Sequence, residues 1–189
     1  YKHLVVSPHS MRKKMIELIN KEIKNAKARK PAYMILKMNN LVDMELIKKL
    51  YHASNAGVKI NLIIRGICSL IPGIKGMSEN IEAVSIVDRY LEHSRIFVFG
   101  NGGKELYYFS SADWMTRNLD YRVEVTCPVY SKELQQELRT MLNIQLSGNV
   151  KARIIDEFQT NRYKRSNTKV RIRSQVAFYN YLKEKHGKV

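Results

Sequence analysis

From Leu4 to Ile64 the chain alternates short apolar runs with longer segments whose apolar residues recur every three or four positions. Leu4-Val5-Val6 reads as a buried strand. Met11, Met15, Leu18, Ile19 and Ile23 share one helical face, which predicts a helix from a Ser10 cap to about Arg29, ended by Pro31. Ala32 to Met38 is a second strand. Asp43 caps a helix through about Ala56, with Gly57 as its stop, and Val58 to Ile64 is a third strand. Strand, helix, strand, helix, strand is the rhythm of an α/β sheet with crossover connections.

The rest of the chain adds shorter elements. A loop from Arg65 to about Asn80 holds Pro72, Gly73 and Gly76. Strands are predicted at Ala83 to Val87 and Arg95 to Phe99, then a tight turn at Asn101-Gly102-Gly103, with Tyr107 to Phe109 pairing back across it. Arg122 to Val129 alternates Val123, Val125, Cys127 and Val129 with polar neighbours, so those four are expected to face inward. Ser131 caps a helix to about Ile144, Gly148 breaks the chain, and Ala152 to Ile155 is a last strand candidate.

The end differs in character. Phe158 to Lys183 contains no acidic residue, while Arg162, Lys164, Arg165, Lys169, Arg171 and Arg173 crowd together. Phe178, Tyr179, Tyr181 and Leu182 suggest a terminal helix. Residues 1–150 are therefore read as the main domain and 151–189 as a basic C-terminal segment. That segment either packs on the same domain or stays partly mobile until an anion orders it.

A length of 189 residues suits one domain with a real core. Lys and Arg outnumber Asp and Glu by 33 to 17, a formal charge of +16, which calls for an anionic partner. Nucleic acid, a membrane surface and polyphosphate all qualify. No apolar run approaches the roughly 20 residues of a membrane span. Tyr1 opens directly on a strand, with neither signal peptide nor initiator Met, so the chain is expected to be a piece of a longer protein. Cys68 and Cys127 lack metal spacing, and a reducing cytosol is the simplest expectation.

Three constellations carry chemistry. His93 stands two residues before Arg95 at the mouth of an apolar strand, a spacing that would turn both toward one anionic group. Histidine moves protons near neutral pH, and the arginine fork matches phosphate oxygens. Arg65-Gly66 closes a strand and opens a loop at the end of a sheet where α/β proteins gather ligands. There Arg65 would grip a phosphate and Gly66 would let the backbone approach it. Ser110-Ser111-Ala112-Asp113-Trp114-Met115-Thr116-Arg117-Asn118 follows a strand and would orient His93 or line a phosphate pocket, with Trp114 as a core anchor. Spacing alone leaves the plainer reading of each open: a surface histidine beside a surface arginine, an exposed strand-end arginine, a polar turn. Zinc spacing, a Walker loop and a dinucleotide fingerprint are all missing.

Lys37-Met38-Asn39, Arg65-Gly66-Ile67-Cys68, Pro72-Gly73, Ser78-Glu79-Asn80, Leu91-Glu92-His93-Ser94-Arg95, Phe99-Gly100-Asn101-Gly102-Gly103, Ser110-Ser111-Ala112-Asp113-Trp114-Met115 and Asn118-Leu119-Asp120 follow one another in this order. The series resembles polyphosphate kinase type 1 from about Leu4 to Ile144, and more loosely beyond Lys151. That resemblance implies a phospholipase D-like mixed sheet flanked by helices, the second of two such domains. It implies reversible transfer of the terminal phosphate of ATP to polyphosphate, with magnesium that this domain does not bind alone. One histidine, on the preceding domain, becomes phosphorylated. His93 matches its acid-base partner, and Arg65 matches an arginine on the ATP phosphates. Arg95, Ser111, Arg117 and Asn118 are further candidate phosphate ligands. The resemblance also implies a homo-oligomeric full-length enzyme, cytoplasmic or peripheral to the inner membrane, and an isolated fragment without activity.

Two departures separate the chain from the phospholipase D signature, which has His, any residue, Lys, then Asp five residues after the Lys. Here the base is Arg95, the later position is Gly100, and a Gly-Ser pair is replaced by Ser110-Ser111. Rival readings are a single-motif phospholipase D-like nuclease that pairs two copies, and a module that binds polyanions without chemistry.

Overall fold

The computed structural model describes residues 1–165 and 169–187. Its strands are β1 (Val5–Ser7), β2 (Tyr33–Met38), β3 (Lys59–Ile64), β4 (Ile81–Ile86), β5 (Arg95–Phe99), β6 (Leu106–Ser110), β7 (Glu124–Pro128) and β8 (Ala152–Ile154). Its helices are α1 (Met11–Lys27), α2 (Met44–Asn55), α3 (Lys132–Ser147) and α4 (Ser174–His186). All eight strands join one mixed sheet in the order β1-β7-β6-β5-β2-β3-β4-β8.

β2, β3 and β4 run parallel, as their crossover connections require, and every other neighbouring pair runs antiparallel. The register pairs Met38 with Ile64, Lys37 with Ile96, Arg95 with Ser110, and Ser7 with Glu124. One rim of the sheet thus collects the ends of β1, β2, β3 and β6 and the starts of β5 and β7. Every residue in the three constellations falls on or beside that rim.

Strand alternation builds two cores. Met34, Leu36 and Met38 point to the face covered by α1 and α2, where Met15, Ile19, Leu46 and Leu50 are buried with Phe97, Phe99 and Trp114. Ile35, Ile63, Ile96 and Val98 point to the other face, under Met141 and Leu142 of α3 and Phe178 of α4. The described parts of the basic segment belong to this fold. β8 pairs with β4, and Lys164 donates its amide to the Ala152 carbonyl at 2.8 Å. Residues 166–168 of that stretch lie outside the described residues.

Two local expectations are corrected. Ser10 occupies the first cap position of α1 without capping it: its hydroxyl sits 3.2 Å from both the amide and the carbonyl of Val6, closing the turn out of β1. Asp43 and Ser131 do cap, accepting from the Leu46 and Leu134 amides. In and around β7 the expectation holds only in part: Val129 packs on the second core and Val125 is half-buried. Thr126 is the buried one, bonded through its hydroxyl to Ser110 at 2.6 Å, while Val123 and Cys127 are exposed. Pairing of Ser110 with Thr126 sets the phase.

Gly100 explains the missing aspartate of the phospholipase D pattern. It lies at the far end of β5 from His93, and a Cβ there would approach the Tyr33 ring to 2.8 Å. Its φ of −64° is ordinary, so the constraint is space rather than backbone conformation. Gly100→Ala should lower stability by about 1–3 kcal/mol, the cost of overpacking a filled core. An unchanged thermal midpoint would show that the ring yields freely.

Arg12 pins α1 to the rest of this face. Its guanidinium donates to both oxygens of Asp43 at 2.8 and 2.7 Å and to both oxygens of Asp120 at 2.7 and 2.6 Å, and it also meets Glu45. Burial pushes the Asp43 pKa up, but the Arg12 bonds and charge, the Leu46 amide and Thr116 together hold it below the usual carboxylate value. A depressed folded-state pKa contributes stability above the unfolded value, and that contribution is lost as pH falls through the folded one. Asp43→Asn should cost about 2–3 kcal/mol at neutral pH, the low side for a buried pair because Arg12 is partly exposed and keeps Asp120. Thermal midpoints of the two proteins should converge as pH drops below about 4.

Candidate functional site

Beyond β2 the chain stays extended and threads between two loops. Leu41 donates its amide to the Ile67 carbonyl at 2.9 Å and accepts from the Ser69 amide at 2.9 Å. On its other side the Val42 and Asp43 amides both donate to the Trp114 carbonyl at 2.9 Å. Trp114 is fully buried against Phe97, with ring centroids 5.5 Å apart, and is the core anchor that the sequence suggests.

This anchor sets the neighbouring Asp113 into the centre of the rim. The residue is only 5% exposed. It accepts from the Asn39 amide at 2.8 Å, Asn39 Nδ2 at 3.3 Å, Asn40 Nδ2 at 3.0 Å and Arg95 Nε at 3.0 Å, with Arg95 Nη2 at 3.4 Å. Burial alone would raise its pKa. Arg95, Asn40 and the Asn39 amide outweigh burial and hold it below the ordinary value, so Asp113 is ionised at neutral pH.

Arg95 extends from Asp113 to His93. Its Nη1 donates to the His93 carbonyl at 3.1 Å, and its Nη2 lies 3.5 Å from His93 Nε2. The two side chains do converge, though not through strand periodicity. Pairing of β5 with β6 begins at Arg95, so His93 belongs to the preceding loop and its imidazole is exposed. Arg65 approaches from the opposite side. Its Nε donates to Asn39 Oδ1 at 2.9 Å, and among the described residues its two terminal nitrogens make no hydrogen bond. An unbroken chain of polar contacts therefore runs from Arg65 through Asn39, Asp113 and Arg95 to His93. Gly66 has a different task from the expected one. A Cβ there would meet Asn40 Oδ1 at 2.7 Å, so the glycine admits the Asn39-Asn40 segment.

The remaining candidates divide. The Ser111 hydroxyl donates to Glu124 and accepts from the Val125 amide. Asn118 Nδ2 donates to the other Glu124 oxygen at 2.6 Å, and its carbonyl accepts from Ser7. Both groups are thus bonded within the fold. Arg117 is exposed, on a π-helical turn spanning Arg117–Tyr121.

Several rim residues escape a reading of spacing alone. Asp113 emerges as the hub rather than one polar residue among several. Lys37, fully buried, donates to Glu92 at 2.9 Å, and Gln145 and Gln175 donate to the same carboxylate at 2.8 and 2.9 Å. Burial works against the Glu92 charge, yet Lys37, Gln175 and Gln145 hold its pKa below normal. A lysine in the middle of an apolar strand is a signal in itself, since a buried lysine demands a partner. Each rim carboxylate is engaged: Asp113 by Arg95, Glu92 by Lys37, Glu124 by Ser111 and Asn118, and Asp88 by Arg173. Among the described residues no group of three or more His, Cys, Asp or Glu could hold a metal ion. The donor set does not suit magnesium, which takes free carboxylate oxygens.

No helix among the described residues is long and apolar enough to cross a membrane. Residues 4–175 match the family described as polyphosphate kinase C-terminal domain 2. A polyphosphate kinase from Vibrio parahaemolyticus is 52% identical over 183 residues, which cover 97% of this chain and 26% of that protein. The crystal structure of polyphosphate kinase from Porphyromonas gingivalis superposes with a TM-score of 0.94 at 49% identity, covering 97% of this chain and 28% of the other. Nuc from Salmonella typhimurium, a phospholipase D family member, superposes with a TM-score of 0.60 at 12% identity over 82% of this chain and 97% of its own, a likeness of fold alone. The sheet is thus the phospholipase D-like one that the motifs imply, and the chain spans about a quarter of the length of the polyphosphate kinases it matches. On this evidence the chain belongs to the polyphosphate kinase C-terminal domain 2 family.

Proposed function

We propose that this chain forms one half of the phosphoryl-transfer site of a longer ATP:polyphosphate phosphotransferase. The observation that carries the reading is the run of contacts from Arg65 through Asn39, Asp113 and Arg95 to His93, which fixes two cations and an imidazole on one rim. The terminal nitrogens of Arg65 would grip phosphate oxygens as charge spreads over them, with Arg95 as the second cation beside the imidazole. His93 would give a proton to the leaving phosphate oxygen and take one from the attacking oxygen.

A histidine on a preceding domain would attack the terminal phosphorus of ATP, breaking its bond to the bridging oxygen and releasing ADP. The end of a polyphosphate chain would then displace that histidine, and the reverse sequence would regenerate ATP. Magnesium would supply charge neutralisation with the nucleotide. Because the rim carboxylates named above are already paired, the metal would be held by groups outside this rim. The +16 charge would raise the local concentration of polyphosphate. Without the second histidine, the isolated chain is expected to bind phosphates and turn nothing over.

In the full-length enzyme, His93→Ala should reduce turnover by about 10²–10⁴-fold while ATP binding persists. Unchanged steady-state turnover in that variant would refute the assignment. Robust cleavage of labelled DNA by the isolated chain would instead favour a nuclease. Asp113→Asn removes the charge that orients Arg95, so turnover should fall about 10–100-fold, with a smaller change in KM. A rise in KM of that size with kcat unchanged would mean that the hub serves substrate binding only.

A further inference from the structure

The loop that carries His93 is held almost wholly by side chains. Among the described residues, no backbone-to-backbone hydrogen bond joins residues 88–94 to any other segment. Val87, Tyr90 and Leu91 in and beside this loop are all exposed, so apolar burial does little to fix it. A loop with so few internal bonds sits at the low-stability end of a fold unless something external ties it down.

The ties come chiefly from the far end of the sequence. Arg173 grips the buried Asp88 carboxylate with two bonds, at 2.9 and 2.7 Å. Gln175 reads the backbone of Tyr90 in both directions, accepting from its amide at 3.0 Å and donating to its carbonyl at 2.9 Å. The same amide nitrogen donates to Glu92 Oε1 at 2.9 Å. Lys37 and Gln145 hold Glu92 Oε2 from beneath. Glu92 directly precedes His93, whose own carbonyl is held by Arg95.

We infer that the start of helix α4, through Arg173 and Gln175, is a positioning device for His93. It clamps the loop at Asp88, Tyr90 and Glu92 so that the imidazole stays beside Arg95. Neither residue touches the reacting atoms in this scheme. This role differs from that of a basic tail that collects polyanion. It rests on the proposed acid-base role of His93 only for its effect on turnover; the clamp itself is a property of the chain.

The test uses Gln175→Ala, and Arg173→Ala with Arg173→Lys as the conservative rescue. Asn180→Ala, an exposed change on the same helix, serves as control. Hydrogen exchange at the Tyr90 amide, which Gln175 holds, should accelerate at least about 10-fold in Gln175→Ala and measurably in Arg173→Ala, with the two cores still protected. The control should match wild type, and Arg173→Lys should recover part of the protection. In the full-length enzyme kcat should fall on the order of 10–100-fold, the usual penalty for misplacing a catalytic group by about 1 Å, with KM for ATP little changed. Unchanged exchange at the Tyr90 amide would overturn the inference. A loosened loop with normal kcat, in an enzyme that His93→Ala cripples, would overturn it too. If the loop loosens but His93→Ala is itself silent, the clamp stands and the acid-base role of His93 fails.

Discussion

Asp113 is the charge on which the rim depends. One buried carboxylate takes hydrogen bonds from the chain beyond β2 and from the first residue of β5, and Trp114 beside it locks the same peptide into the core. Ionised carboxylates are tolerated inside a fold only when their lone pairs are filled. Here filling them requires Asn39, Asn40 and Arg95 to converge. Electrostatic necessity thereby sets the position of Arg95, and through it the surroundings of His93.

The rest of the rim repeats this pairing, with Lys37 on Glu92, Arg173 on Asp88 and Arg12 on Asp43 and Asp120. Carboxylates are consumed in holding cations and amides, while among the described residues Arg65 keeps its terminal nitrogens free. What faces outward is an unneutralised guanidinium and an imidazole. Such a surface suits an anion that brings its own counterion.

Much of this architecture is legible in the amino-acid sequence. The parallel centre of the sheet follows from apolar runs alternating with amphipathic helices, and both helices of that stretch fall on one face because the crossovers between parallel strands share a hand. Arg65 and Arg95 stand at strand ends and Trp114 is the buried anchor that the sequence suggests, while His93 reaches Arg95 from the loop before β5. The failures have physical causes. Hydrophobic alternation overstates the burial of Val123 and Cys127 and misses Thr126, whose hydroxyl pairs with Ser110 inside the fold. Cap chemistry misjudges Ser10, whose hydroxyl finds a nearer partner in the turn before the helix. Contacts between residues 73 to 85 positions apart leave no trace in local pattern, so the roles of Asp113 and Gln175 emerge only in the folded chain.

Those separations bear on how the protein is made. Closing a loop costs entropy that grows with its length, and contacts distant in sequence form after local ones. The first seven strands and both N-terminal helices make their pairings without any residue after Pro128. Residues 88–94 must wait for Arg173 and Gln175 to emerge. The loop that carries His93 is therefore completed by the last helix, and truncation near residue 150 would leave it without the grip of Arg173 and Gln175.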